Sequence, residues 1–215
     1  MFIGQVSTGR FVLGAPTAPE ETLAGSRYGL CMSTNLRNFV KTVYGFDHVI
    51  KLVNDKAMTK QSPCSDWKGV DVIGHALGGL KSVQTAATVG AMPKSWPKPG
   101  ADPRAAWAKQ RDQTLEALDH SDVLHKVANT FFGPMPVDTF ISFMGADLLI
   151  HTWDLARTGK VDERLDPALC KSVLAIWKSL PAEMLRSPSV FGPAITPPKG
   201  ADAQTRMLNF VGRTG

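Results

Sequence analysis

Gly145-Ala-Asp-Leu-Leu-Ile-His-Thr-Trp-Asp154 places two metal-capable side chains inside an apolar helical stripe. Phe140, Met144, Leu148 and Leu155 recur at helical spacing, the pattern of a buried helix face. Asp147 and His151 fall on that same side, four residues apart, so their side chains sit one turn above each other. An ionised carboxylate buried without a partner is costly. Two partners answer that cost: a divalent metal ion, or a neutralised Asp–His hydrogen-bonded pair that only shapes the core. Spacing alone does not choose between them.

Outward from this stretch, the helix is expected over residues 137–157, closed by Gly159 as a C-cap. Upstream, Leu36, Phe39, Val43, Phe46, Ile50 and Val53 alternate three and four apart, a bundle-type seam with His48 off it. Ser62-Pro-Cys-Ser-Asp-Trp67 is turn chemistry followed by N-cap residues, and a second helix carries Val70, Ile73, Leu77 and Leu80 on one face. His75 leaves that helix on another face, with small residues (Gly78, Gly79, Ser82) beside it. Asp102-Pro103 starts a third helix with Trp107, Leu115 and Leu118, broken near residues 120–122. His120 and His125 lie at the break, read as solvent-facing. Residues 129–136 read as a turn-rich connection, residues 167–180 as a fifth helix, 187–200 as an extended Pro/Gly-rich stretch and 203–211 as a last helix. No segment reads as a sheet. The expected fold class is all-α: a four-helix bundle with short additional C-terminal helices.

Residues 1–31, rich in Gly, Ala, Pro and Thr, read as a poorly ordered leader, with Met32 as an alternative start and residues 32–215 as one helical domain. The 215-residue length suits one core. Hydrophobic content of 43% and charged content of 20% are those of a soluble globular protein. No apolar run approaches the roughly 18–20 residues that span a bilayer, and the N-terminus makes a poor secretory signal. A cytoplasmic protein follows. Cys31, Cys64 and Cys170 are an odd, widely spaced set without a CxxC pair, against a disulfide framework or cysteine zinc site. Net charge is +5 and pI about 9.2, but Lys and Arg are scattered without a basic block, which argues against nucleic acid.

Three N/O donors, His75 from one helix and Asp147 with His151 from another, match a catalytic zinc pattern that leaves one position open. Four blocks carry a family resemblance: Ser62-Pro-Cys-Ser-Asp-Trp67, Val70-Asp-Val-Ile-Gly-His-Ala-Leu-Gly-Gly79, Phe132-Gly-Pro-Met-Pro136 and Ala146-Asp-Leu-Leu-Ile-His-Thr-Trp-Asp-Leu-Ala-Arg157. Together they resemble the DinB-like superfamily, in its actinobacterial branch related to the mycothiol-dependent maleylpyruvate isomerase metal-binding domain. Val190-Phe-Gly-Pro193 and Arg206-Met-Leu-Asn-Phe-Val-Gly-Arg213 resemble the tail of the same branch, so the likeness runs over about residues 35–213.

The resemblance implies a DinB-like four-helix bundle with a divalent metal, best fitted by zinc, on His75, Asp147 and His151. It also implies a low-molecular-weight thiol such as mycothiol at the open position, activated as a nucleophile. Two departures stand out: the isomerases have Glu where this chain has Asp147, and they carry a further C-terminal domain. The function expected is a thiol-dependent isomerase or S-transferase acting on a small electrophile, and the alternative is a non-catalytic metal- or ligand-binding bundle of the same family. Trp153 and Asp154 are candidates for a pocket wall and a support of the ligand histidine, or for purely structural roles. Lys81 and Arg157 are candidates to meet an anionic substrate. No general acid or base is assigned, and Cys64 reads as a turn residue. The partner expected is a small-molecule substrate, with neither nucleic acid nor membrane; a homodimer is left open.

Overall fold

A computed structural model describes residues 32–120, 122–186 and 190–215. The expected leader and Cys31 lie outside the described residues. Four long helices form the bundle: α1 (Thr34–Leu52), α3 (Gly69–Val89), α4 (Pro103–Leu118) and α5 (Val137–Gly159). Shorter helices are α2 (Asp55–Met58), α6 (Pro167–Lys178), α7 (Ala182–Leu185) and α8 (Ala203–Phe210). In the bundle α1 and α3 each pack against both α4 and α5, and α6 joins α5 to α8. Among the described residues, no helix is long and apolar enough to cross a membrane.

The seam expected for α1 is the seam observed. Leu36, Phe39, Val43, Phe46, Ile50 and Val53 are all buried, facing Phe140, Leu148 and Leu155 of α5 and Ile73, Leu77 and Leu80 of α3 within one core. Burial of this many large side chains is the main favourable term, at about 1.5–3 kcal/mol for each Val, Leu, Ile or Phe. Capping fixes where the helices begin. Ser33 accepts from the Leu36 N–H, and its hydroxyl donates to Asp138 in the first turn of α5. Asn35 donates to the same carboxylate at 2.7 Å, so one acid ties the starts of α1 and α5 together. Further along, the buried Asp47 of α1 accepts from Arg111 and from the Trp107 indole N–H (3.2 Å), both on α4. A buried carboxylate with a guanidinium and two further donors is satisfied rather than stranded.

Three local expectations are corrected. The connection after α4 is not only turns: a 3₁₀ turn (Val123–His125) leads into a two-stranded antiparallel hairpin, β1 (Val127–Thr130) and β2 (Gly133–Pro136). Gly133 takes φ +97°, and the Thr130 hydroxyl donates to its carbonyl at 2.8 Å, closing a turn that alternation of hydrophobicity does not announce. Second, α3 starts later than Ser65 or Asp66: the N-cap is Lys68, whose N–H donates to Asp71 at 2.8 Å.

The third concerns the end of α5. The left-handed residue is Lys160 (φ +55°), not Gly159. Gly159 is demanded by packing instead, because a Cβ there would stand 2.4 Å from Cγ2 of the buried Val53. Gly159→Ala is therefore expected to cost about 1–3 kcal/mol of unfolding free energy in urea melts, the range for overpacking a core. Lys160→Gly, which removes a side chain from left-handed backbone, should leave stability unchanged or raise it. A Gly159→Ala protein as stable as its parent would show that Val53 yields freely.

Candidate metal centre

Helix α5 brings its acid and histidine to α3 as the sequence spacing requires. His75 Nε2 lies 2.8 Å from Asp147 Oδ2, and His151 Nε2 lies 3.5 Å from Asp147 Oδ1. Donor atoms of His75, Asp147 and His151 are all within 4.8 Å of one another, close enough to share one ion. Their exposure is graded: His151 is buried, while His75 and Asp147 are each about one-quarter exposed. The trio is therefore closed on the His151 side and open to solvent on the other.

Aromatic side chains flank the opening. Trp67 stacks on His151 (ring centres 5.6 Å) and tilts against His75 (4.9 Å). Trp96 meets His75 edge-on at 5.5 Å. The small residue beside the imidazole is the seat of that tryptophan, since a Cβ on Gly78 would come within 2.1 Å of the Trp96 ring.

The other nitrogen of His151 is equally constrained. Nδ1 lies 3.0 Å from Oδ2 of Asp154, a wholly buried carboxylate one turn along α5. Asp154 in turn accepts from Arg213 twice, Nε at 3.1 Å and Nη2 at 2.9 Å. Cys64 completes this side: its Sγ lies 3.1 Å from Asp154, 3.8 Å from His151 Nδ1 and 2.9 Å from Arg213 Nη2. The loop carrying Cys64 is shaped by Gln61, whose amide donates to the carbonyls of Ser62, Cys64 and Trp67, and by Asp66 at φ +64°. Arg213 is aimed inward by the turn after α8, where Gly212 takes φ +79° and Asn209 holds the Arg213 carbonyl at 2.9 Å.

Charge follows this geometry. Burial alone would raise the Asp147 carboxyl, but the neighbouring imidazoles of His151 and His75 hold it far below the usual carboxylate range. Burial alone would lower His151; Asp147, then the hydrogen bonds with Asp154 and Cys64, raise it well above an ordinary histidine. Burial would raise Asp154, and hydrogen bonds from His151 and Arg213 bring it down to about 2. The carboxylates on either side of the ring, Asp147 and Asp154, favour a positive charge at His151.

Among the described residues two groups of side chains could hold an ion, His75–Asp147–His151 and Cys64–His151–Asp154, and they share His151 through its different nitrogens. They are not equivalent. The second already contains the Arg213 guanidinium, bonded to both its sulfur and its carboxylate. The first offers N and O donors, contains no cationic side chain beyond its own imidazoles, and has its buried histidine oriented by a carboxylate. That support is what a metal-bound histidine ordinarily has. The donor set and its setting fit a divalent ion on the first group.

The remaining sequence candidates fall elsewhere. Asp154 stands behind His151, paired with Arg213 and not with a neighbouring arginine on its own helix. Trp153 is buried, and Arg157 covers its ring (4.4 Å to the ring centre). Arg157 is engaged by Glu163 through two 2.7 Å bonds and by the Thr214 carbonyl; Lys81 donates to Gln84 at 3.0 Å. Among the described residues no hydrogen bond joins either cation to the trio. His48, His120 and His125 are exposed, as expected. Cys64 is corrected: it is not a plain turn residue but a neighbour of His151. Periodicity does not point to Cys64, Trp96 or Arg213, because each arrives from a loop or tail, where no repeat marks a facing direction.

This arrangement defines a helical-bundle protein with a metal-capable His–Asp–His trio. The chain belongs to the mycothiol maleylpyruvate isomerase N-terminal domain family, whose model matches residues 45–156, just over half of the 215. That span includes His75, Asp147, His151 and Asp154 but stops short of Arg213. An uncharacterized protein of Mycobacterium tuberculosis, found in strains CDC 1551 / Oshkosh and H37Rv, is 28% identical over 154 residues, 71% of this chain and 83% of its own. Two crystal structures of the mycothiol-dependent maleylpyruvate isomerase, one with a histidine replaced by alanine, align at 14% and 15% identity with a TM-score of 0.43. The alignment covers 60% of this chain and 62% of theirs, so it spans less than two thirds of those proteins.

Asp154→Ala is expected to lower stability by about 3 kcal/mol or more, because it leaves the largely buried Arg213 guanidinium without its carboxylate. Asp147→Ala, at the more open side where part of the charge stays solvated, should cost less. Denaturant midpoints measure both; equal losses would contradict the buried pair as the anchor.

Proposed function

We propose that this protein holds a divalent ion, zinc in preference, on His75, Asp147 and His151, and uses it to activate a low-molecular-weight thiol such as mycothiol against a small electrophile. The reaction class is isomerisation or S-transfer. The single observation that carries the reading is the convergence of the three donors with His151 anchored from behind by Asp154. Family membership supports the thiol.

The ion, when bound, supplies positive charge that makes a thiol reaching the open side easier to deprotonate. The chain's own residues do the rest. Asp154 holds a proton on Nδ1 of His151, so the proton given up when an ion binds is the one on Nε2, and the lone pair it leaves is directed at the Asp147 side. Asp147 balances charge between the two imidazoles. Trp67 and Trp96 shield both rings from water and leave the exposed edge of His75 and Asp147 as the approach for a ligand.

His151→Ala is expected to lose at least tenfold in zinc affinity, whereas His48→Ala and His120→Ala retain the parent's value, as measured by competition with a chromogenic chelator. Equal affinity in all three would mean the ion sits elsewhere. With cobalt in place of zinc, titrating mycothiol should produce a thiolate-to-metal charge-transfer band. A loaded protein whose spectrum ignores saturating thiol would be a non-catalytic metal-binding bundle instead.

A further inference from the structure

Among the described residues, the two metal-capable groups have His151 in common, and what separates them is one guanidinium. Cys64 Sγ, Asp154 Oδ2 and His151 Nδ1 converge into a donor set of the mixed sulfur, oxygen and nitrogen type that thiophilic dications take. Arg213 Nη2 stands 2.9 Å from both the sulfur and the carboxylate oxygen. The side chain is largely buried, and its backbone is fixed by the bond from Arg213 N–H to the Leu208 carbonyl at 2.8 Å. A built-in cation thus occupies the ground that a second metal ion would need.

We propose that Arg213 is a positioning and specificity-determining residue: a resident cation that reserves Nδ1 of His151 for Asp154, keeps the Cys64 sulfur out of the metal's coordination, and so holds the protein to one ion. The proposal rests on the metal reading of His75, Asp147 and His151, and concerns what that reading leaves unexplained: why a thiol this close to a ligand histidine is not itself a ligand. The physical reason is charge. Asp154 is wholly buried and requires a positive partner. With Arg213 in place the requirement is met and a dication on Cys64 would be repelled. With a neutral side chain there, the carboxylate, the sulfur and the second imidazole nitrogen face an unfilled cation position. A soft metal entering it displaces one proton from the Cys64 thiol and one from Nδ1 of His151, both released to solvent.

The test uses the full chain loaded with cobalt and no added thiol, comparing the parent with Arg213→Lys, Arg213→Met, Arg213→Gln and the double variant Arg213→Met/Cys64→Ser. The parent and Arg213→Lys are expected to take one cobalt per chain and to show no thiolate-to-cobalt charge-transfer band. Arg213→Met and Arg213→Gln are expected to gain that band together with binding approaching two ions per chain, and the double variant to lose both. Far-ultraviolet circular dichroism identifies a variant that fails to fold, and either neutral variant alone suffices. A charge-transfer band in the parent, or neutral variants that remain spectrally silent, would overturn the role of Arg213. A parent that takes no cobalt would overturn the reading of the trio; Arg213→Met would still decide this proposal, since Cys64, Asp154 and Nδ1 of His151 include neither His75 nor Asp147.

Discussion

A buried carboxylate one turn from a buried histidine is the constraint on which the rest of the site depends. Asp154 has no access to water, so its charge must be compensated from within the protein. The compensation comes from two directions. His151 donates from its own helix, and Arg213 reaches back from the turn after α8. The first contact fixes the tautomer and the orientation of the imidazole. The second recruits the end of the chain to the bundle and brings Cys64 under the same guanidinium. Without Asp154, Nδ1 of His151 would lose the carboxylate that orients the ring.

Helix α5 therefore does two jobs with one face. Phe140, Leu148 and Leu155 supply the apolar contacts that hold it between α1 and α3, and Asp147, His151 and Asp154 interrupt those contacts only where another element answers them. The α3 side answers with His75, the 61–68 loop with Cys64 and Trp67, and the tail with Arg213. Polar groups at such density in a core would be destabilising if any were orphaned. They form instead a connected network graded from fully buried at Asp154 to partly exposed at His75. That gradient gives the site a rigid back and an accessible front, the arrangement a ligand-binding ion requires.

The bundle itself was readable from periodicity, because its seams obey helical spacing: every seam position of α1 is buried. The trio was readable for a related reason, since Asp147 and His151 share a helix face at a spacing that admits one relative placement. What sits around the trio was not. Cys64 meets His151 across 87 positions and Arg213 meets Cys64 across 149, through loops whose directions are set by Asp66 and Gly212 in the left-handed region. No local pattern records such pairings. The hairpin of β1 and β2 is hidden for a different reason: each strand is four residues long and β2 is Gly/Pro-rich, so turn chemistry masks the pairing. Gly159 suits a C-cap by its conformational freedom, whereas the need the structure shows is steric, set by Val53. Sequence reading ascribes a glycine to its own backbone more readily than to a neighbour it has yet to meet.

On the function proposed above, a divalent ion binds between α3 and α5 on three N/O donors, with sulfur excluded. An anomalous diffraction map of zinc-loaded crystals, collected at the zinc edge, tests this most directly. One peak is expected within bonding distance of His75, Asp147 and Nε2 of His151, with Cys64 still beside Arg213. A peak on Cys64 and Asp154, or zinc bound elsewhere with the trio bare, would contradict it.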